Sequence, residues 1–134
     1  MKKILLSLFF VILAFSCEET PYNTFSDYYA IHEDQWRWDN YESYYYCEIR
    51  VPELTSYVFE NGVISTYYIT EVDKREVAYP LPYDYYEVEQ GGFRWTEQNT
   101  CEIRPGYITF IVKYNTRDNT YRPLGRLFKV NMIW

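Results

Sequence analysis

Three cysteines carry the most specific chemistry in this 134-residue sequence, at positions 17, 47 and 101. Cys47 and Cys101 each open the same tetrapeptide, Cys-Glu-Ile-Arg. On a strand, the cysteine and the isoleucine of each copy share one face, so both sulfurs are expected in the protein interior. In an oxidising compartment these two cysteines can pair. The sequence therefore predicts a Cys47–Cys101 disulfide, with two separate buried thiols as the alternative.

Nucleophilic catalysis needs a nucleophile and a base within hydrogen-bond reach, and the sequence offers few such partners. His32 is the one histidine, beside Glu33 and Asp34, and is expected at the surface. None of the four serines that follow Cys17 lies in a Gly-x-Ser-x-Gly turn. One histidine and dispersed cysteines make a zinc or iron centre improbable. We therefore expect no catalytic residue, no metal site and no cofactor.

Carboxylates are plentiful, but no spacing singles out a glycosidase pair or a calcium loop. Solvated strand faces explain most of them. The formal charge of −6 argues against a nucleic-acid partner. Residues 18–102 hold 18 acidic and 5 basic residues, whereas 104–134 hold 6 basic residues and one aspartate. This asymmetry favours C-terminal strands that lie beside acidic ones over a basic recognition edge. The carboxylate candidates are Glu33, Asp34, Asp39, Glu42, Asp84, Glu87 and Glu89.

Aromatic residues make up 22% of the chain and suit either a β-sandwich core or a sugar-stacking surface. Trp38 and Trp95 are flanked by charged and polar residues and are the candidate aromatic binding platform. Trp36 is expected in the core. Core positions are the alternative for Trp38 and Trp95 as well.

The first 16 residues have the pattern of an export signal rather than of a folded element. Lys2 and Lys3 precede an apolar run at 4–15, which is too short for the roughly 20 residues that span a bilayer. The segment 13–17, Leu-Ala-Phe-Ser-Cys, resembles a bacterial lipobox and predicts a lipid on Cys17. Residues 1–16 are then the signal peptide and 17–26 a lipidated tether. Cleavage at the same bond by an ordinary signal peptidase is the alternative.

The rest of the chain, 27–134, alternates apolar and polar residues as half-buried strands do. Strands are predicted within 41–51, 106–114 and 126–134, with shorter candidates at 28–33, 63–72, 77–79, 85–89, 93–97 and 101–104. Gly91-Gly92 predicts a tight hairpin, and Pro80 and Pro82 exclude a central strand there. The pattern predicts an all-β antiparallel sandwich of about 7–9 strands.

One segment departs from the strand pattern, at residues 52–60. Pro52 opens it, Gly62 follows it, and Leu54, Tyr57 and Val58 have the spacing of a buried helical face. We expect a short helix here, packed across one end of the sandwich. A strand with an Asn61-Gly62 hairpin turn is the alternative.

Several short motifs follow one another along the chain in a characteristic order. They are Trp36, Pro-Glu-Leu-Thr at 52–55, Asn-Gly-Val at 61–63, Leu-Pro at 81–82, Gly-Tyr-Ile-Thr-Phe at 106–110 and Phe-Lys-Val at 128–130. This order resembles that of a group of small lipoproteins and C-terminal modules of Bacteroidota, for which no activity is established. The resemblance covers about residues 29–133. It implies an immunoglobulin-like or jelly-roll-like sandwich anchored to the outer membrane, and it carries over no site residue.

These observations together predict a non-enzymatic lipoprotein, held to the periplasmic or outer face of the outer membrane by its lipid. Its expected role is binding or envelope structure, with a glycan or an envelope protein as the partner. A carbohydrate-binding module that uses exposed aromatic rings is the alternative. A glycan-active enzyme is the least favoured class.

Overall fold

A computed structural model describes residues 21–88 and 94–134, without the side chains of residues 87, 88, 94 and 95. This part of the chain holds nine strands and one short α-helix, α1 at Ser56–Asn61. The predicted signal peptide 1–16, Cys17 and the predicted Gly91-Gly92 turn lie outside the described residues. The strands are β1 Thr24–Ile31, β2 Arg37–Asp39, β3 Tyr44–Arg50, β4 Val63–Val72, β5 Arg75–Pro80, β6 Tyr83–Val88, β7 Arg94–Arg104, β8 Tyr107–Tyr114 and β9 Arg126–Ile133.

The strands form two antiparallel sheets, which confirms the predicted all-β sandwich. Sheet A has the order β1-β9-β4-β5, and sheet B has the order β2-β3-β8-β7-β6. The rings of Phe110 on β8 and Phe128 on β9 stack between the sheets with centroids 4.1 Å apart. Trp36 meets Phe128 edge-on and is only 2% exposed. The core therefore lies between the central strands of both sheets, and Trp36 belongs to it as expected.

Alternation of buried and exposed positions follows the sequence pattern on β3, β8 and β9. Ile108, Phe110 and Val112 of β8 are fully buried, as are Phe128 and Val130 of β9. Two further buried side chains, Ile69 on β4 and Ile111 on β8, lie on the outer faces of their sheets. They do not belong to the core between the sheets. Each sheet thus carries a small apolar spot on its outer surface as well.

Helix α1 is shorter than predicted and begins three or four residues later. Thr55 caps it, because its hydroxyl accepts a hydrogen bond from the Val58 amide at 3.2 Å. Leu54 and Val58 are buried as expected, but Tyr57 is 64% exposed, so its predicted place on the buried face is wrong. Among the described residues, no helix has the length and apolar character to cross a bilayer.

Strand β1 begins at Thr24, inside the segment predicted to be a tether. Asn23 and Trp134 exchange two backbone hydrogen bonds, at 2.8 and 3.0 Å, and Thr24 pairs with Ile133. Pairing with β9, rather than an alternating pattern of its own, orders this polar stretch. At the other sheet, the predicted strands 93–97 and 101–104 are one continuous strand, β7. Pro80 lies at the end of edge strand β5, in accord with the expectation.

Candidate functional site

A cleft of about 690 Å³ opens between the inner faces of β4 and β5 in sheet A and of β6, β7 and β8 in sheet B. Residues of the connection between β8 and β9 complete its lining. We call it the tyrosine cleft because six tyrosines line it: Tyr68, Tyr79, Tyr83, Tyr85, Tyr114 and Tyr121.

Three of these tyrosines form a stack that joins the two sheets. The rings of Tyr79 and Tyr83 are nearly parallel with centroids 4.3 Å apart, and Tyr68 stacks on Tyr83 at 5.9 Å. Burial, together with the neighbouring rings of Tyr79 and Tyr68, raises the pKa of Tyr83. Tyr83 therefore stays neutral at ordinary pH. Tyr85 and Tyr121 are more exposed to solvent, at 43% and 56%.

A buried polar cluster lies beside the tyrosines and joins β9 to β7. The Arg126 guanidinium donates to both carboxylate oxygens of Glu97, with Nη2 to Oε2 at 2.8 Å, and Nη1 also donates to Asn99 Oδ1 at 2.6 Å. Asn99 Nδ2 donates to Glu97 Oε1 at 2.8 Å. The side chains of Arg126 and Glu97 are only 9% and 5% exposed. The cluster is thus a charge-balanced hydrogen-bonded network, although Arg126 Nε is buried without a partner among the described residues.

The electrostatics of the cluster fix the protonation states of Arg126 and of the neighbouring Tyr114. Burial alone would lower the pKa of Arg126, but the hydrogen bond and charge of Glu97 outweigh it and raise that pKa. Burial and the nearby Glu97 carboxylate raise the pKa of Tyr114. The guanidinium also lies 5.6 Å from the Tyr68 ring centroid. Arg126 therefore stays charged and Tyr114 stays neutral.

The connection between β8 and β9 is held by donors that come from the core. Tyr45 Oη donates to the carbonyl of Asn119 at 2.8 Å, and Trp36 Nε1 donates to the carbonyl of Leu124 at 3.3 Å. Both donors belong to the buried core. Tyr121, which lies between the two anchored carbonyls, is thereby kept at the cleft.

Cys47 and Cys101 are free thiols, so the predicted disulfide is wrong for this fold. Both face the interior as expected, but each pairs with Phe110 from opposite sides of β8. Two strand spacings separate their Cα atoms by roughly 10 Å, beyond the limit of about 7 Å for a disulfide. The Cys101 sulfur instead lies 3.3 Å from Thr66 Oγ1 of the other sheet. Burial raises the pKa of both thiols.

Of the two candidate platform residues, Trp38 does not line the tyrosine cleft. Trp38 is partly buried, its ring packs edge-on against Tyr45 with centroids 4.9 Å apart, and its N–H donates to Asn40 Oδ1 at 2.9 Å. The backbone of Trp95 lies on β7, but its side chain falls outside the described residues. Cys17 likewise lies outside them.

Sequence reasoning missed the residues that form the cleft. The run Tyr-Pro-Leu-Pro-Tyr-Asp-Tyr-Tyr at 79–86 concentrates four tyrosines and is the one local signal for it. Glu97 and Asn99 share the inward face of β7 and could not be recognised as buried, because polar residues usually mark the solvent face of a strand. Arg126 comes from β9, distant in sequence, so only the sandwich brings it to Glu97.

Chemically, the site combines flat apolar ring faces, phenol hydroxyls and a fixed ionic network in one open concavity. Such a site can bind a ligand that has both apolar faces and hydroxyl groups. Comparisons with protein-family models, with curated proteins and with solved structures find no match for this chain.

Proposed function

We propose that this chain is a carbohydrate-binding lipoprotein without catalytic activity, and that the tyrosine cleft is its binding site. The observation that carries the proposal is the concentration of six tyrosines around one open cleft with a charge-balanced polar cluster beside it. A sugar ring has an apolar face that stacks on aromatic rings and hydroxyl groups at its edges that hydrogen-bond.

The size and charge of the cleft support this ligand class. Its volume of about 690 Å³ falls within the range of roughly 300–1,000 Å³ typical of small-molecule sites. Its charged lining residues are Glu71, Glu97, Arg122 and Arg126, two of each sign. Because Glu97 and Arg126 neutralise each other, the cleft favours a polar but uncharged ligand over an ion. A neutral oligosaccharide fits that description.

The proposed anchor rests on the sequence, through the two lysines, the short apolar run and Cys17. The resemblance to small Bacteroidota lipoproteins supports the same placement at the outer membrane. A lipid on Cys17 would leave few residues between the membrane surface and β1, which begins at Thr24. The sandwich would then bind glycan close to the membrane.

The test is a binding measurement on the full-length protein in detergent, first with an array of neutral oligosaccharides and then by calorimetry with those that bind. We expect Tyr85→Ala and Tyr121→Ala each to weaken binding about fivefold, since one lost stacking contact is worth roughly 1 kcal/mol. Tyr57→Ala is the matched control, because Tyr57 is also exposed, at 64%, but lies on α1 and does not line the cleft.

Two outcomes would overturn the proposal. One is that no neutral oligosaccharide binds the folded wild-type protein. The other is that binding is unchanged in both cleft variants, or that it weakens as much in Tyr57→Ala.

A further inference from the structure

A second depression lies on the opposite, outward face of sheet B at the same end of the sandwich. Its volume is about 310 Å³. The register places Asp84 beside Gln98 and Gln98 beside Lys113, so three outward polar side chains cross β6, β7 and β8 in one row. Tyr86 pairs with Thr96 in the next outward row. We call this depression the outer pocket.

The outer pocket differs from the tyrosine cleft in its charge. Its charged lining residues are two cations, Lys113 and Arg117, and two carboxylates, Asp84 and Glu97. The Glu97 carboxylate is already neutralised by Arg126 between the sheets, so Asp84 is the one carboxylate left to balance the two cations. In the part of the chain that the structure describes, the ion pairs are Arg104–Glu48 and Arg126–Glu97, so neither Lys113 nor Arg117 belongs to one. The chain as a whole is acidic, with a formal charge of −6, but the outer pocket has a local excess of positive charge. This local charge attracts an anion.

An exposed ring completes the outer pocket. Tyr86 is 70% exposed and lines the depression together with the two cations. Its neighbour Thr96 is tied to the start of the β8–β9 connection, since the Asn115 amide donates to the Thr96 carbonyl at 3.1 Å and Asn115 Oδ1 accepts from the Thr96 amide at 3.3 Å. Arg117 follows two residues later, and its amide donates to the Tyr114 carbonyl at 3.2 Å. These bonds hold the Arg117 backbone near Tyr86.

We propose that the outer pocket binds a carboxylate-bearing sugar, such as a uronic acid residue of a glycan. The sugar ring stacks on Tyr86, and its carboxylate binds Lys113 and Arg117. The ring stacking distinguishes this ligand from a simple anion, and the carboxylate distinguishes it from the neutral sugar proposed for the tyrosine cleft. The inference does not rest on the function proposed for that cleft.

The experiment titrates three probes into ¹⁵N-labelled full-length protein in detergent micelles and follows amide shifts by NMR. The probes are the methyl glycoside of glucuronic acid, the methyl glycoside of glucose, and acetate. We expect the uronoside to shift the amides of residues 96–98 and 113–117 and to bind at least threefold more tightly than the other two. Binding should weaken at high salt, because both cations are accessible to solvent ions.

Variants identify the groups responsible. Lys113→Gln and Arg117→Gln should each weaken uronoside binding about threefold, and Tyr86→Ala should reduce it to the level of acetate. Lys129→Gln is the matched control, since Lys129 is a surface cation with its ammonium 5.1 Å from the Tyr28 ring centroid, but on the outer face of sheet A.

Three results would overturn the inference. Equal binding of the uronoside and the glucoside would remove the role of the carboxylate. Equal binding of acetate would leave a general anion site. Shifts that persist in Lys113→Gln and Arg117→Gln but vanish in Tyr121→Ala would place the ligand in the tyrosine cleft instead.

Discussion

At the scale of single residues, two ion pairs in this protein have opposite surroundings. Glu97 and Arg126 are buried between the sheets, whereas Glu48 and Arg104 meet at 2.7 Å on the exposed face of sheet B. Removing one partner of a buried pair leaves a charge without water or counter-charge, and this is costly. The exposed pair is already solvated, so water replaces a lost partner.

This contrast gives a prediction for Glu97→Ala. We expect it to lower the free energy of unfolding by about 3–5 kcal/mol, because it leaves the Arg126 guanidinium uncompensated. Glu48→Ala is the control and should leave the urea midpoint nearly unchanged. Chemical denaturation followed by fluorescence measures both. Equal, small effects of the two substitutions would contradict the buried network.

The two thiols give a second prediction at this scale. In the Cys17→Ser variant, denatured without reductant, two thiols should react with a chromogenic disulfide reagent. In the folded protein both should react slowly, because burial raises the pKa of Cys47 and Cys101 and leaves little thiolate. A denatured protein with no reactive thiol would show that the strands carry a disulfide after all.

At the scale of elements, glycine at position 62 allows α1 to turn directly into β4. A Cβ built there would lie 2.6 Å from the Val58 carbonyl oxygen and 3.1 Å from that of Ile133. Both contacts are with backbone, which cannot move aside as a flexible side chain does. The end of the helix and the adjacent end of the β4–β9 strand pair are therefore packed too closely around position 62 to admit a side chain.

We predict that Gly62→Ala destabilises the protein by about 1–3 kcal/mol through this overpacking. Gly125→Ala is the control, since its nearest neighbour is the Ile31 carbonyl oxygen at 3.5 Å, an ordinary contact. Urea midpoints of the two variants provide the comparison. The same midpoint for both would show that the chain relaxes around the new methyl group.

The strands that the sequence predicted best are those whose inward residues are all apolar. Alternation is clear on β8 and β9, and both strands form where it predicts. On β7 the inward positions include Glu97 and Asn99, so the pattern breaks and one strand looks like two. The two residues that interrupt the alternation on β7 are also members of the buried polar cluster. Strands are predicted from inward positions that are apolar, and a site that requires buried polar groups departs from this pattern.

At the scale of the whole molecule, the proposed lipid anchor would decide where the two proposed binding surfaces act. We predict that the wild-type protein partitions into the detergent phase and that Cys17→Ser moves to the aqueous phase. The reason is that one or more acyl chains, and not the acidic sandwich, supply the membrane affinity. Phase separation of membrane extracts measures this. Soluble wild-type protein with a free Cys17 thiol would contradict the anchor and leave both sugar-binding proposals standing.

Strand β9 lies between β1 and β4 in sheet A, although it follows both of them along the chain. Thr24 of β1 and Val63 of β4 both pair with Ile133. Among the described strands, β1 pairs only with β9, and β4 pairs with β9 and β5. A chain that is synthesised or exported N-terminus first must therefore present β1 and β4 long before their shared partner arrives. Such distant pairing is slow and leaves strand edges open to aggregation in the meantime. Assembly of this sandwich consequently waits for residues 126–133, and a chaperone that shields the earlier strands until then would decide how much protein folds.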